Sequence, residues 1–371
     1  MSAVIAAIRE RARTDPGRIA LSAGDRTWTY PELIAEAEAA AAVLAGLDGD
    51  PARPVALQID NGPAWVILDL ALVLAGRPCL PLPTFFTASQ RDHAIGDCGA
   101  AWSVESSAEG PVMVGGERLA IQRLDTRPVV LPAGVAKITY TSGSTGAPKG
   151  VCLSQEQMDA TAQSLVQVLG EGLAGRHLPI LPLAVLLENV AGLYPILLAG
   201  GRYDAASPAE VGLDQPFQPQ LGVLGSAIRD REATSLILTP ELLRALLAVM
   251  AFTGMRFPRL KLVAVGGAKV SPRLLAQAAE VGLPVVEGYG LTECASVVAL
   301  NTPQANRPGT VGRPLPHLTV TLGDDGEIQV GPRPFLGYAG RPPAWGPVRT
   351  GDLGAADADG YLSISGRRAN T

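Results

Sequence analysis

The residues best suited to chemistry are concentrated in one short segment, Ile138-Thr139-Tyr140-Thr141-Ser142-Gly143-Ser144-Thr145-Gly146-Ala147-Pro148-Lys149-Gly150-Val151. A β-like run enters a loop carrying four hydroxyls (Thr141, Ser142, Ser144, Thr145), three glycines and one lysine. Glycine lets backbone N–H groups turn toward an anion, because no Cβ blocks the close approach. The hydroxyls add donors, and Lys149 adds a compact charge suited to phosphate oxygens. A generic Gly/Ser linker would not carry an ordered strand before it and a Pro-Lys-Gly exit after it. Nor is this the P-loop of ordinary NTPases: Gly143 and Gly146 stand three apart, and Lys149 is followed by glycine rather than Ser or Thr. The chemistry implied is the cradling of a nucleotide's phosphates.

Further segments complement it. Val265-Gly266-Gly267-Ala268-Lys269 follows an apolar strand, and its glycines let a ligand lie against bare backbone. In Glu287-Gly288-Tyr289-Gly290-Leu291-Thr292-Glu293, Tyr289 offers a flat face for a purine. Thr292 can bond a phosphate oxygen, and Glu293 is a hard oxygen ligand suited to Mg²⁺. In Arg349-Thr350-Gly351-Asp352, the Asp352 carboxylate suits the paired hydroxyls of a ribose. Gly366-Arg367-Arg368 lies close behind.

Taken in this order, the segments resemble the signature motifs of the adenylate-forming superfamily. That superfamily includes acyl-CoA synthetases, nonribosomal-peptide adenylation domains and firefly-type luciferases. Softer landmarks, Thr29-Tyr30-Pro31-Glu32-Leu33 and Leu74-Ala75-Gly76-Arg77-Pro78, extend the resemblance over nearly all 371 residues. It implies ATP and Mg²⁺ as cofactors, with the thiol of CoA or of a phosphopantetheine carrier protein as acceptor. Lys149, Thr292 and Glu293 are then the catalytic set, and Glu293 the metal ligand. Thr141, Ser142, Gly143, Ser144, Thr145, Gly146, Gly267, Ala268, Glu287, Gly288, Tyr289, Gly290, Asp352 and Arg367 would hold the nucleotide. Val185, Gly266 and Gly267 would border the acid. In the family a smaller C-terminal domain follows the Gly-Arg segment and supplies a further lysine. The sequence stops at Thr371, with Ala369 where Asp or Lys is usual at the hinge. The expectation is a truncated chain that binds ATP and acid but adenylates weakly. The alternative is a non-enzymatic nucleotide- or acyl-binding module, and a kinase is a weaker option.

Leu181-Pro182-Leu183-Ala184-Val185-Leu186-Leu187-Glu188-Asn189 falls where the family lines its acid tunnel. No aspartate occurs between Asp159 and Asp204 to pair with a substrate ammonium, so an α-amino acid is not expected. The stretch resembles the Leu-Pro-Leu-Ala-His-x-x-Glu segment of fatty acyl-CoA synthetases, with Val185 in place of the histidine. A leucine-rich wall favours an apolar tail by roughly 0.8 kcal/mol per buried CH₂, which points to a fatty or other apolar acid. The three histidines, His93, His177 and His317, are scattered, and none adjoins a motif along the chain.

The elements that must position these residues follow from periodicity. Helices are expected over 2–12, 31–46, 64–75, 154–169, 187–199, 240–250 and 272–281. Short apolar strands are expected at Val55–Ile59, Cys79–Leu82, Ile180–Leu183, Ser235–Leu238, Leu260–Val265 and Val285–Val286. This rhythm predicts an α/β chain of layered, mostly parallel subdomains over about 1–150 and 151–299. The Gly- and Pro-dense remainder, 300–371, reads as an antiparallel β-barrel-like subdomain. All of this forms one large adenylation domain, 1–371, with the small lid domain absent. Composition agrees: 47% hydrophobic and 18% charged residues mark a core-rich globular chain. A net charge of −5 gives no hint of a nucleic-acid partner. Four separated cysteines without a CxxC pair read as buried thiols. The apolar stretch Leu178–Gly201 contains Glu188, Asn189 and three prolines, unlike a lipid-facing helix. With no secretory pattern at the N-terminus, a cytoplasmic protein without an integral membrane segment is expected, its partners a small carboxylic acid and an acyl carrier protein.

Overall fold

A computed structural model describes residues 1–141, 148–215, 218–332 and 335–368. The phosphate-loop residues Ser142, Gly143, Ser144, Thr145 and Gly146 lie outside the described residues.

Local signals set the helices. Thr29 caps Tyr30–Ala45, its hydroxyl accepting from Glu32 N while the Glu32 carboxylate accepts from Thr29 N. Ser154 caps Gln155–Leu169 in the same way with Gln157. Pro63-Ala64-Trp65-Val66-Ile67-Leu68-Asp69-Leu70-Ala71-Leu72 is buried along nearly its whole length. A helix apolar on every side must sit between layers, and this one does.

One eight-stranded sheet runs Gly337–Tyr338, Lys149–Leu153, Lys137–Thr141, Cys79–Pro81, Val55–Gln58, Trp102–Ser106, Glu117–Arg123, Val112–Val114. Its centre is parallel and its edges antiparallel. A nine-stranded sheet runs Arg313–Pro314, Ser296–Leu300, Val285–Leu291, Leu262–Val265, Ser235–Leu238, Arg176–His177, Arg202–Asp204, Ile19–Ala23, Arg26–Thr29. The strands from Leu262–Val265 through Ile19–Ala23 pair in parallel. Thr319–Leu322, Glu327–Gly331, Val348–Ala356 and Leu362–Arg367 form the antiparallel C-terminal sheet.

The sheets do not follow the linear division at about residue 150. The N-terminal hairpin Ile19–Thr29 joins the nine-stranded sheet by pairing with Arg202–Asp204, and Gly337–Tyr338 crosses back to pair with Lys149–Leu153. Strands go where their apolar faces find cover, and Ala20 and Leu21 are fully buried in the second layer. Two elements also differ from expectation. Ile180–Leu183 is loop, and Arg176–His177 supplies the strand instead. The helix expected over 187–199 opens as a π-helix, Leu187–Leu193, before Tyr194–Leu198 continues as α. Widened turns of this kind concentrate at functional sites. Here the turn aims two adjacent buried side chains in different directions, Glu188 at His177 and Asn189 at Lys137. Helix Ala88–Cys98, capped by Thr87 with Gln90, and strands Trp102–Ser106 and Glu117–Arg123 form beyond the expected elements. Among the described residues no helix is long and apolar enough to cross a membrane. All four cysteines are buried, and burial pushes the Cys79 thiol up to about 12.

The segment leading into the C-terminal sheet docks on helix Gln155–Leu169 through His317, with Nδ1 2.7 Å from Ser164 Oγ and Nε2 3.4 Å from Thr161 Oγ1. Burial holds this imidazole below its usual 6.5. The unfolded chain therefore takes up the proton first. The contribution to stability is complete above 6.5 and is lost as pH falls through the lowered folded value. Thermal unfolding should shift to lower temperature between about pH 7 and pH 5, and His317→Asn should flatten that part of the profile. An unchanged slope in the variant would assign the acid sensitivity elsewhere.

Candidate active site

A cavity of about 620 Å³ opens where the parallel strands Ser235–Leu238, Leu262–Val265 and Val285–Leu291 end. The carboxyl ends of such strands are the usual ligand position in α/β sheets. Ile237 and Ala264 face it from the sheet, Leu165 and Leu169 from helix Gln155–Leu169, and Ala184 and Leu187 from the loop and π-helix. Eight expected site residues line it: Thr141, Val185, Gly266, Gly267, Gly288, Tyr289, Gly290 and Thr292. Thr139 and Ser296 face it as well, with side-chain oxygens that have no partner among the described residues.

The turn after Val285–Leu291 is held by close packing. A Cβ on Gly290 would run into the backbone oxygen of Ser296, so only glycine lets the two strands approach this far. Ala295 and Ser296 both adopt positive φ, 54° and 90°. Such non-glycine conformations cost about 1–3 kcal/mol each and cluster at functional sites. This backbone fixes Tyr289 at one end of the segment and Glu293 at the other.

Each end anchors a cluster. At Glu293, Oε1 accepts from Tyr338 OH at 2.9 Å, and Lys149 Nζ stands 5.3 Å from the Tyr338 ring centroid. Burial, with Glu293 beside it, pushes the Tyr338 phenol well above its ordinary value. At Tyr289, the hydroxyl donates to Asp352 Oδ2 at 2.6 Å, while Arg367 Nε approaches Asp352 Oδ1 at 3.8 Å. The strand bearing Asp352, Val348–Ala356, is pinned by Glu327, which is 3% exposed. Glu327 accepts from Gly351 N at 3.1 Å, Arg349 Nε at 2.9 Å and Arg368 Nη1 at 3.2 Å. The phosphate-binding and ribose-binding candidates thus converge on one seven-residue strand and the turn after it.

Two expected residues stand apart from both the cavity lining and these clusters. Ala268 is exposed beside it. The Glu287 carboxylate accepts from Val270 N at 3.4 Å and borders a separate hollow with Asn306, and burial raises its pKa. Sequence reasoning missed Tyr338 and Glu327, whose partners lie far along the chain and come within reach through strand pairing. Two scattered histidines also reach the site. His93 Nε2 donates to the Pro148 carbonyl at 2.8 Å, beside Asp97, which accepts from Tyr140 OH at 2.7 Å. Helix Ala88–Cys98 therefore braces both strands that flank the phosphate loop. His177 lines the cavity.

Comparison with known proteins decides the family. Residues 8–334 match the model of the AMP-binding enzyme family. The chain belongs to that family. As an AMP-binding enzyme it is a member of the adenylate-forming superfamily that its motifs resembled, and an AMP-forming, acid-activating ligase. Similar curated proteins include a feruloyl-CoA synthase of Amycolatopsis sp., 30% identical over 96% of this chain and 77% of that protein. An oxalate–CoA ligase of Arabidopsis thaliana is 27% identical over 96% and 77%. A 2-succinylbenzoate–CoA ligase of Geobacillus kaustophilus is 28% identical over 98% and 77%. Among solved structures, the O-succinylbenzoate CoA synthetase of Bacillus subtilis with AMP matches at TM-score 0.78 and 24% identity, covering 98% of this chain and 78% of that one. An anthranilate CoA ligase with anthranoyl-AMP matches at TM-score 0.81 and 20% identity, covering 99% and 78%. These structures share the AMP-binding enzyme's fold, including the curled C-terminal sheet. The specific likeness to fatty acyl-CoA synthetases finds no support in the relatives' names, which specify feruloyl, oxalate and 2-succinylbenzoate.

Proposed function

We propose that this enzyme joins ATP to a carboxylic acid with a compact apolar body, an aromatic acid rather than a fatty one, and passes the acyl group to the thiol of CoA. The observation carrying the reading is that the Lys149–Tyr338–Glu293 and Tyr289–Asp352–Arg367 clusters hang from the two ends of one segment beside one apolar-walled cavity. Residues 1–371 then act as the large adenylation unit. The aromatic preference rests on the feruloyl and 2-succinylbenzoate relatives; the leucine-rich wall suits either acid.

In the first step a carboxylate oxygen attacks the α-phosphorus, the bond to pyrophosphate breaks, and acyl-AMP forms. Both reactants are anions, so the protein's task is positioning and charge neutralisation. Lys149 and the phosphate loop would hold the outgoing phosphates, with Thr292 donating to an α-phosphate oxygen. Asp352 would accept from the ribose hydroxyls, and Tyr289 would stack on adenine. Glu293, a single hard carboxylate whose Oε1 accepts from Tyr338, would hold a magnesium ion, and the ion would supply further neutralisation. In the second step a thiolate attacks the acyl carbon and AMP leaves with the electron pair. A phosphopantetheine carrier presents the same thiol as CoA, and both steps use cytoplasmic substrates.

Calorimetric titration of the chain with AMP, cinnamoyl-sulfamoyl-adenosine and decanoyl-sulfamoyl-adenosine tests the reading. The cinnamoyl conjugate should bind roughly 100-fold tighter than AMP, in keeping with the affinity of reaction-intermediate analogues, and more tightly than the decanoyl one. Conjugates no tighter than AMP would remove acid activation, and a preference for decanoyl would return the substrate to the fatty class.

A further inference from the structure

The inner end of the cavity is polar. His177 and Ser235 both face it, at 2% and 1% exposure, and are directly paired across the parallel strands Arg176–His177 and Ser235–Leu238. His177 Nδ1 lies 2.9 Å from Ser235 Oγ, and Nε2 lies 2.7 Å from Glu188 Oε1. Tyr203 OH donates to the same Oε1 at 2.9 Å, and its ring stacks on the imidazole at 5.4 Å. Glu188 is fully buried, and its Oε2 has no partner among the described residues. A wall that needed only to hold an apolar tail would have no use for two buried polar side chains backed by two more.

Position along the sheet gives the polar pair its meaning. Ser235 opens its strand, whereas Thr239, also facing the cavity, follows the strand's other end. At that other end Leu238 pairs with Val265, just before Gly266 and Gly267, and Val265 pairs with Glu287, just before Tyr289. Four residues of strand place Ser235 about 13 Å from the nucleotide end, which suits the far end of an arylpropenoic acid. Glu188 accepts two hydrogen bonds and fixes the imidazole. Ser235 satisfies Nδ1 with one part of its hydroxyl, which as one donor and two acceptor sites keeps capacity for a ligand.

We infer that Ser235 forms a subsite that recognises a hydroxyl at the distal end of the acid, held in place by His177, whose imidazole Glu188 and Tyr203 position. The inference rests on the acid-activation reading and refines it: a distal hydroxyl can donate to the acceptor site that Ser235 Oγ keeps free beside His177, whereas a bare ring or methyl leaves that site unused.

The test compares 4-hydroxycinnamoyl- and cinnamoyl-sulfamoyl-adenosine by calorimetry on the unaltered chain and on Ser235→Ala. The unaltered chain should bind the hydroxylated analogue at least roughly tenfold more tightly, since a site built to bond a hydroxyl rejects the analogue lacking it. Ser235→Ala, with its melting temperature checked, should bring the two affinities to near equality. Equal binding by the unaltered chain overturns the inference without recourse to any variant, as does a ratio that survives Ser235→Ala. If neither analogue binds, the acid-activation reading falls and takes this subsite with it.

Discussion

Asp352→Asn is expected to weaken binding of cinnamoyl-sulfamoyl-adenosine by about 100-fold, within the 2–5 kcal/mol typical of breaking a desolvated charge-assisted hydrogen bond. Asp352 is 19% exposed and already accepts from Tyr289 OH at 2.6 Å. As a carboxylate it accepts on both oxygens, so it can take ribose hydroxyls while keeping Tyr289 in place. Asparagine replaces one oxygen with an N–H donor facing other donors, so either a ribose contact or the Tyr289 contact is lost. A 2′,3′-dideoxy analogue isolates the cause: it should lose affinity for the unaltered chain and little more for the variant. If the two losses simply add, Asp352 does not hold the sugar.

Lys137→Met should lower the free energy of unfolding by about 3–5 kcal/mol, the range for removing one partner of a buried ion pair. Lys137 Nζ lies 2.7 Å from Asp69 Oδ1, with the side chains 2% and 1% exposed. Asp69 Oδ2 accepts from Tyr194 OH at 2.7 Å and Asn189 Nδ2 at 3.1 Å, while Lys137 also donates to Asn189 Oδ1. The ammonium lies 5.8 Å from the Trp65 ring centroid and 5.4 Å from that of Tyr194. This network ties helix Pro63–Ala75, strand Lys137–Thr141 and the π-helix together, and so joins the layer carrying Lys137–Thr141 to the cavity wall. Methionine removes the charge that Asp69 needs. The double variant Lys137→Met with Asp69→Leu should recover most of the loss, because an apolar pair of similar volume often replaces a buried ion pair without penalty. Guanidinium unfolding midpoints measure both. A loss under about 1 kcal/mol in the single variant would mean that water reaches the pair and screens it as at a surface.

What could be read from the chain differed by kind of information. The motifs were legible because nucleotide chemistry demands particular residues at short spacing, as in Gly288-Tyr289-Gly290 and Thr292-Glu293. The structure brings their described members to one cavity or its neighbouring clusters, apart from Ala268 and Glu287. Parallel strands such as Ser235–Leu238 were legible as apolar runs between helices. Residues whose meaning depends on distant pairing were not. Tyr338 reaches Glu293 only because Gly337–Tyr338 leaves the C-terminal sheet to join Lys149–Leu153. His177 read as an isolated histidine because its partners, Glu188, Tyr203 and Ser235, lie 11 to 58 residues away. One signal was available and unused. Asp69 in Pro63–Ala75 and Lys137 opening Lys137-Ile138-Thr139-Tyr140 are lone charges in apolar elements, a pattern that predicts burial with a partner.

A crystal structure of the chain with bound cinnamoyl-sulfamoyl-adenosine would test the assignment most directly. The ribose hydroxyls should lie within about 2.7–3.2 Å of Asp352, the sulfamate should sit on the Thr292 side toward Lys149 and Glu293, and the aryl group should lie between Ala264 and Leu169. A nucleotide bound away from Asp352, or an aryl group outside the cavity, would contradict it.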